Sequence, residues 1–348
     1  MGSFDFENEY CACALSDADW AKLDNKTIMI TGAAGLVGKY LIQVLMLRNK
    51  IKNLKTKVIA VGRSKEHFEE RFHGVEGMEN VTFYKLDVQN PCDYPGHLDF
   101  IIHMASNTHP RLYASDPIGT EMTNILGTYN LLNLASKNNG CRFVFTSSTD
   151  IYGDNNTGKE YLSESDCGYI DCNSLRAGYI EGKRAGEALC NAFKEKNGVD
   201  FVIARLCRVY GPTVDLADSR AITQFIKKAV AREAIVLKSE GTQIFSYLYV
   251  YDVVSALLTV ISKGKSGEAY NIADNNEVIS LKNLAGVLAK IGDSQVVYGL
   301  QDDIEKKGAS TFHDVRLDAS RLYGLGWKSS VPLAEGLNWT VKSIRNIR

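Results

Sequence analysis

The 348-residue sequence lacks several features that would assign it to a membrane-bound or nucleic-acid-binding class. It has no apolar run of roughly 20 residues, the length that spans a bilayer. Its formal net charge of -1 offers no general attraction to nucleic acid or to an anionic membrane surface, and no local basic run supplies one. We therefore expect no nucleic-acid partner and no membrane association.

The sequence also lacks the patterns of a metal site and of a signal peptide. The eight cysteines have no metal-site spacing, since Cys11 and Cys13 are too close for a zinc knuckle and the others are scattered. Residues 1–10 carry acidic side chains instead of the basic and apolar regions of a signal peptide. Scattered cysteines in such a chain are typical of reduced thiols. We expect a cytoplasmic protein without a bound metal.

Short apolar segments alternate with amphipathic helical patterns over most of the chain. The predicted strands are Thr27–Thr31, Lys57–Val61, Val81–Leu86, Leu98–His103, Cys141–Ser147, Phe201–Leu206 and Glu268–Ile272. Apolar strands joined by helices form parallel sheets that are covered on both faces. The predicted fold is α/β, a Rossmann-type doubly wound parallel sheet.

The first predicted strand runs into a glycine-rich turn with Gly32, Gly35 and Gly38 three residues apart. The first glycine permits a tight turn, the second lets the backbone approach a phosphate, and the third lets the following helix pack on the strand. The first helical amides, at Leu36 and Val37, and the positive end of the helix dipole favour a pyrophosphate. The pattern predicts a dinucleotide site, the alternative being a turn without a ligand.

Three further positions bear on which dinucleotide is bound. NAD-selective sites usually end the second strand with an acid, whereas Arg63 stands here. Arg63 could pair with the 2′-phosphate of NADP, stack on adenine or face solvent. Asp87 and Val88 suit contact with adenine, and Ala105 suits close approach to the cofactor. The residues alone leave both NAD and NADP open.

The rhythm of strands and helices breaks after Gly211-Pro212. We expect a leader over 1–25, a dinucleotide-binding domain over 26–212 plus 251–272, and a smaller, mixed C-terminal substrate-binding lobe over 213–250 plus 273–348. The lobe is expected to cover the carboxyl ends of the strands, where ligands bind in open α/β sheets.

A tyrosine and a lysine, Tyr179 and Lys183, lie one helical turn apart on a predicted helix. A free tyrosine has a pKa of about 10, but the charges of Lys183 and of an oxidised nicotinamide favour the phenolate. Tyr179 would then act as general base, with Ser148 holding the substrate hydroxyl. The set predicts hydride transfer between a carbinol and a nicotinamide.

These motifs resemble the extended short-chain dehydrogenase/reductase family of nucleotide-sugar epimerases, dehydratases and decarboxylases. The resemblance runs from Thr27 to about Val341 and rests mainly on the segments Thr31–Gly38, Ser147–Gly153, Tyr179–Lys183 and Arg205–Pro212. It implies a nucleotide-sugar substrate, transient oxidation of its C4 hydroxyl by NAD, with NADP as the alternative because of Arg63, and usually hydride return. It also implies a homodimer formed through helices near 118–137 and 179–195, a cofactor contact at Asn124, and substrate contacts at Ser106 and Tyr249.

Two positions indicate a subfamily. Asp150 stands two residues before Tyr152, where family dehydratases and decarboxylases carry a carboxylate, usually glutamate. A C4 ketone acidifies C5–H and makes a C5 carboxylate a β-keto acid, so a carboxylic acid there has a role in both reactions. Arg176, three residues before Tyr179, looks like the UDP-glucuronate decarboxylase pattern. The motif pattern is closest to UDP-glucuronate decarboxylases and 4,6-dehydratases, with Asp150 as a strand-end hydrogen-bonding residue as the alternative.

Two positions depart from the family pattern. Phe245 stands where the family usually has a diphosphate-binding arginine, and Arg208 replaces its sugar-phosphate asparagine. A guanidinium from Arg208 or Arg220 could bind the diphosphate instead. Two other classes stay open, an NADPH-dependent reductase of a keto-sugar or other small carbonyl, which Arg63 favours, and a non-catalytic dinucleotide-sensing protein.

Overall fold

The structure is a computed structural model that describes residues 13–14, 16, 18–108, 110–155, 157–308 and 312–347. The predicted leader therefore lies outside the described residues at 1–12, 15 and 17. The strands in chain order are β1 (Thr27–Thr31), β2 (Lys57–Gly62), β3 (Val81–Lys85), β4 (Phe100–His103), β5 (Arg142–Ser148), β6 (Asp200–Leu206), β7 (Arg208–Tyr210), β8 (Ile235–Leu237), β9 (Ile244–Tyr249), β10 (Glu268–Ile272), β11 (Val278–Ser280), β12 (Val296–Tyr298) and β13 (Asp314–Val315).

The α-helices described from Leu36 onward are α1 (Leu36–Lys52), α2 (Lys65–Arg71), α3 (Pro110–Ser115), α4 (Pro117–Lys137), α5 (Ala177–Asn197), α6 (Ala221–Ala231), α7 (Val250–Lys263), α8 (Leu281–Gly292), α9 (Asp303–Gly308), α10 (Ser320–Tyr323) and α11 (Leu333–Ile347).

A seven-stranded sheet with the order β10-β6-β5-β4-β1-β2-β3 forms the centre of the fold. Each neighbouring pair is parallel. All seven predicted strands are present, with ends shifted by at most two residues, as for β4, which begins at Phe100 rather than Leu98. The Rossmann-type prediction is confirmed. From β1 the chain adds β2 and β3 on one side of the sheet, and it then adds β4, β5 and β6 on the other side of β1. Because the order of the strands reverses between β1 and β4, a crevice opens at the carboxyl ends of these two strands.

Alternating side chains bury both faces of the sheet. Ile28 and Ile30 of β1 face one hydrophobic core, while Met29 between them faces the other. Helices α1 and α7 pack against each other in the first core, and α4 packs along α5 beside the second. Both surfaces of β1 are thereby removed from water, which keeps the glycine turn that follows it in a fixed position.

Local sequence signals set the ends of the helices that frame the crevice. Asp116 caps α4 by accepting the amide of Gly119 at 3.0 Å, and Pro117 occupies the first helical position. Helix α5 ends at Asn197, and the next residue, Gly198, has a φ of 69°, the left-handed conformation that glycine tolerates. These two helices carry Asn124, Tyr179 and Lys183 toward the sheet.

The remaining strands form smaller, mixed sheets. Strand β9 pairs antiparallel with β11 and parallel with β7 and β13, and β8 pairs with β12. The predicted mixed character of this part is therefore confirmed. Strand β7 belongs to this group although residue 212 is the predicted lobe boundary, and the boundaries themselves stay a prediction. No helix within the described residues is long and apolar enough to cross a membrane.

Candidate active site

The glycine turn after β1 has a shape that larger residues would disrupt. Gly32 has a φ of 68°, and a Cβ there would lie 2.8 Å from the carbonyl of Met104. A Cβ on Gly38 would lie 2.4 Å from the oxygen of Gly32. The amide of Gly35 donates to the same oxygen at 3.0 Å. The turn thus presents bare backbone and the start of α1 to the crevice, which fits a pyrophosphate.

A cavity of about 420 Å³ extends from this turn across the carboxyl ends of β2 to β6. Its lining, with backbone amides at the turn and titratable side chains such as Tyr179 and Lys183, suits a dinucleotide and part of a substrate. The predicted site residues that line it are Gly32, Gly35, Leu36, Val37, Gly38, Arg63, Asp87, Val88, Ala105, Ser106, Ser148, Asp150, Tyr179, Lys183, Arg208 and Arg220.

Three predicted residues do not line this cavity. Asn124 is buried in α4, where its Oδ1 accepts the hydroxyl of Ser106, a lining residue, at 3.0 Å. Arg176 lines a second cavity and reaches the first through an ion pair described below. Tyr249 lies in the core against Tyr210 and lines neither cavity, so the structure does not bring it to the substrate site.

The phenol of Tyr179 lies inside the cavity, with its ring stacked on Tyr113 at 4.8 Å and an interplanar angle of 25°. Burial and the nearby Asp150 carboxylate raise the pKa of Tyr179, which the Ser148 hydrogen bond and the charges of Arg176 and Arg208 only partly offset. The sequence predicted that the charges of Lys183 and of an oxidised nicotinamide favour the phenolate. In the structure, Arg176 and Arg208 add two further cations that lower the pKa of Tyr179.

Lys183 is buried one turn along α5, with its Nζ donating to the carbonyl of Thr146 at 2.8 Å and lying 4.9 Å from the centre of the Phe145 ring. Burial lowers the pKa of Lys183 to about 7. Near neutral pH the buried amine therefore titrates between its charged and neutral forms.

Asp150 is held between two guanidinium groups. Its Oδ2 contacts Nη2 of Arg176, and its Oδ1 accepts from Nη2 of Arg208 at 3.0 Å. The aspartate side chain is only 3% exposed. Burial alone would raise the pKa of Asp150, but Arg208 and Arg176 hold it below its usual value. This group, named here the Asp150 cluster, places two cations and one carboxylate beside Tyr179.

A second cavity, also of about 420 Å³, adjoins the first where Arg208 and Arg220 line both. Its walls combine apolar side chains with cations, the latter being Arg111, Arg176, Arg208, Arg220, Lys228 and Lys238. The Arg208 guanidinium lies 4.6 Å from the centre of the Phe245 ring. A cation therefore occupies the surroundings of position 245 although the side chain there is aromatic.

Neighbouring contacts shape the two cavities. The Nε of Arg220 donates to Asp218 at 2.7 Å, which fixes its guanidinium at the junction. Arg111 of α3 pairs with Asp302, just before α9, at 2.5 Å. Helices α3 and α9 pack together, so this ion pair fastens the edge of the second cavity.

Tyr113, which no sequence pattern indicated, lines the first cavity and stacks on Tyr179. Its helix, α3, spans six residues, too few for a recognisable helical period. His67 and Cys207 also line the cavity without having been predicted. A possible signal for Cys207 was its place directly before Arg208, at the end of a strand that points into the crevice.

A family model described as the NAD dependent epimerase/dehydratase family matches residues 28–273. Among curated relatives, UDP-glucuronic acid decarboxylase 1 of Xenopus tropicalis is 31% identical over 325 residues, which cover 92% of this chain and 73% of that protein. UDP-glucuronic acid decarboxylase 6 of Arabidopsis thaliana is 31% identical over 318 residues, which cover 90% and 87%.

Solved structures show the same fold. A mutant of the UDP-glucuronic acid 4-epimerase of Bacillus cereus, in complex with UDP-4-deoxy-4-fluoro-glucuronic acid and NAD, matches with a TM-score of 0.79 at 21% identity, covering 92% of this chain and all of that one. At this identity, the likeness establishes the architecture and leaves the chemistry to be argued from the residues.

Proposed function

The chain belongs to the NAD dependent epimerase/dehydratase family, and we propose that it acts on a nucleotide sugar through transient oxidation at C4. Within that class we propose decarboxylation of a nucleotide hexuronate. The observation that carries the choice is the Asp150 cluster, a buried carboxylate between two guanidinium groups beside the Tyr179 phenol.

The residues of the first cavity support dinucleotide binding and proton transfer. The turn at Gly32 and Gly35 would hold the pyrophosphate, and Lys183 would contact the nicotinamide ribose. An oxidised nicotinamide bound there would accept hydride from the sugar C4 and, through its charge, favour the phenolate of Tyr179. Ser148 already hydrogen-bonds the phenol and would orient the C4 hydroxyl toward it. Tyr179 would take the hydroxyl proton as the carbinol becomes a ketone.

The protonation state of Asp150 favours decarboxylation over loss of water. Elimination of water requires an acid to protonate the departing hydroxyl, whereas a β-keto acid releases carbon dioxide without such a donor. Asp150 has no proton to give near neutral pH, because its pKa lies below the usual value. The residue before it is Thr149, which is not a carboxylic acid and so cannot replace Asp150 as the acid. The excess positive charge of the cluster also suits a carboxylate on the substrate.

The second cavity supports a nucleotide diphosphate as the remainder of the substrate. Apolar side chains such as Phe225 and Leu237 offer a surface for a base, and cations surround them. We infer that Arg208 and Arg220, at the junction of the cavities, face the diphosphate. Relatives named as UDP-glucuronic acid decarboxylases make a uridine nucleotide the first to test.

The test is incubation of the purified protein with a panel of nucleotide sugars, with product mass as the readout. Loss of carbon dioxide from a hexuronate supports the proposal, whereas loss of water or an unchanged mass with altered stereochemistry assigns dehydration or epimerisation. Tyr179→Phe should lower turnover by about 10²–10⁴-fold. Tyr169→Phe, at a tyrosine that is 61% exposed, is the matched control. Activity of Tyr179→Phe equal to that of the control would contradict the proposed base.

An NADPH-dependent reductase is the second candidate, because Arg63 lines the first cavity. A reductase consumes NADPH in proportion to product, whereas the decarboxylase returns its hydride and leaves the dinucleotide unchanged. Absorbance of the reduced nicotinamide during turnover separates the two. A non-catalytic dinucleotide sensor would show neither reaction.

We also propose a cytoplasmic homodimer. Helix α4 exposes apolar side chains at Ile118, Leu126 and Tyr129, which are 74%, 40% and 47% exposed. They lie on the helix that packs along α5, where a second copy could bury them. The cysteines of the described residues are all free thiols, which suits a reducing compartment. Light scattering of the wild type and of Leu126→Glu tests the dimer, which the variant should weaken.

A further inference from the structure

We propose that Arg205 and Glu187 form a positioning pair for the catalytic groups, although neither residue lines either cavity. The pair joins α5, which carries Tyr179 and Lys183, to the short turn after β5 that carries Asp150. Through this link the ion pair sets the placement of the general base relative to the Asp150 cluster. The kinetic part of this inference rests on the proposed function.

The Arg205 side chain, near the end of β6, makes a bidentate ion pair with Glu187. Its Nε donates to Oε1 of Glu187 at 3.0 Å, and its Nη2 donates to Oε2 at 2.7 Å. Both side chains are largely buried. A paired carboxylate and guanidinium with two parallel hydrogen bonds have a fixed orientation as well as a fixed distance. The pair therefore holds the outer side of α5 on the end of β6.

The other end of the Arg205 guanidinium reaches the turn that carries Asp150. Its Nη1 donates to the hydroxyl of Tyr152 at 2.9 Å and to the carbonyl of Glu164 at 2.8 Å. Burial raises the pKa of Tyr152 to about 12, so this phenol stays protonated and donates in turn to Oδ1 of Asn271 at 2.6 Å. Tyr152 is held from two sides, and Asp150, two residues earlier in the same turn, is held with it.

Glu187 also bears on the charge of Lys183, because residues four apart lie on the same side of a helix. Burial lowers the pKa of Lys183 to about 7, and the Glu187 carboxylate acts in the opposite direction. His103 of β4 lies near Lys183, but burial lowers the pKa of His103 to about 3, so it is neutral near pH 7. From β5, Lys183 meets the uncharged carbonyl of Thr146. Loss of Glu187 or of its partner Arg205 should therefore change the pKa of Lys183 in opposite directions.

Steady-state kinetics of the proposed reaction test the positioning role. Arg205→Lys keeps the charge but lacks the planar fork that binds Glu187 and Tyr152 together, so kcat should fall about 10- to 100-fold. KM should change less than about three-fold, because Arg205 lies outside both cavities. Arg142→Gln is the matched control, because Arg142 pairs with Asp200 at 3.0 Å where β5 and β6 begin, at the opposite edge of the sheet. It should lower the melting temperature and leave kcat unchanged.

An NMR titration with isotope-labelled lysine measures the pKa of Lys183 without a sugar, and Lys183→Met assigns its signal. Glu187→Gln should lower this pKa, because the variant removes a carboxylate near the ammonium. Arg205→Gln should raise it, because the Glu187 carboxylate is left uncompensated. Arg142→Gln should leave it unchanged. If Arg205→Gln does not fold, Glu187→Gln still tests the pKa and Arg205→Lys still tests kcat.

Opposite shifts of the Lys183 pKa in the two variants support the proposal. The proposal is overturned if Arg205→Lys and Glu187→Gln melt at lower temperature, as Arg142→Gln does, while kcat and the Lys183 pKa stay those of the wild type. The ion pair would then be structural only. Because the titration needs no substrate, a failure of the proposed sugar reaction can be told apart from a failure of this inference.

Discussion

Neutralising the carboxylate of the Asp150 cluster should destabilise the protein measurably. Asp150→Asn leaves Arg176 and Arg208 facing each other, with side chains only 7% and 21% exposed. Removing one partner of a buried ion pair costs about 3–5 kcal/mol, because the remaining charge is left unpaired in a poorly solvated site. The new amide oxygen can still accept one hydrogen bond, which favours the lower part of that range.

The expected change in melting temperature follows from the size of the chain. An unfolding entropy of about 2.1 cal/mol/K per residue gives about 0.7 kcal/mol/K for 348 residues. The variant should therefore melt about 4–7 °C below the wild type. Differential scanning calorimetry without dinucleotide measures this. Asp93→Asn is the matched control, because that carboxylate is 83% exposed and its surface pair with Lys137 contributes little.

The pH dependence provides a second check on the same carboxylate. The folded pKa of Asp150 lies below the usual 3.8, so its stabilising contribution is full above that value and is lost as the pH falls through the folded pKa. The gap between wild type and variant should accordingly narrow only in strong acid. A melting temperature for Asp150→Asn equal to that of the Asp93→Asn control would refute the description of the cluster as a buried, mutually dependent group.

Three further variants test other features. Gly38→Ala places a Cβ 2.4 Å from the Gly32 oxygen and should cost about 1–3 kcal/mol and weaken dinucleotide binding, whereas Gly286→Ala, with no atom within 4 Å, should be neutral or stabilising in the same urea titration. Burial raises the pKa of Asp252 to about 7, so the folded protein keeps a proton that the unfolded chain releases above about pH 4. The wild type should therefore become less stable as the pH rises from 4 to 7, and Asp252→Asn should not. Identical stability profiles of the two proteins against pH would contradict this. Burial lowers the pKa of Lys183 to about 7, so the stability of the fold should rise with pH between 7 and 10.5. Lys183→Met should abolish that rise and the enzymatic activity. If the melting temperature of the variant still rises over this pH range, Lys183 is not the source of the rise.

The sheet could be predicted because its signals are local. Each strand is a short apolar run, and the glycines at Gly32, Gly35 and Gly38 fix the turn that makes the first crevice wall. The same is true of Tyr179 and Lys183, whose four-residue spacing places both on one side of α5. Such information is contained within a few neighbouring residues and survives folding unchanged.

Contacts between residues that are far apart in the sequence could not be predicted from it. Asp150 contacts Arg208, which follows 58 residues later, and no local spacing predicts that pair. Burial raises the pKa of Tyr179, and the spacing of residues in the sequence does not report burial. The family resemblance implied a substrate contact at Tyr249, but this side chain is fully buried in the core.

The ion pair between Arg111 and Asp302 bears on how a ligand enters and leaves the second cavity. Both side chains are nearly half exposed, at 45% and 48%, and a pair of this kind contributes at most about 1 kcal/mol. We therefore expect a ligand to enter and leave the second cavity when these two side chains separate. Added salt should accelerate ligand dissociation in a stopped-flow experiment, because salt screens the exposed ion pair between Arg111 and Asp302 more than it screens buried charges.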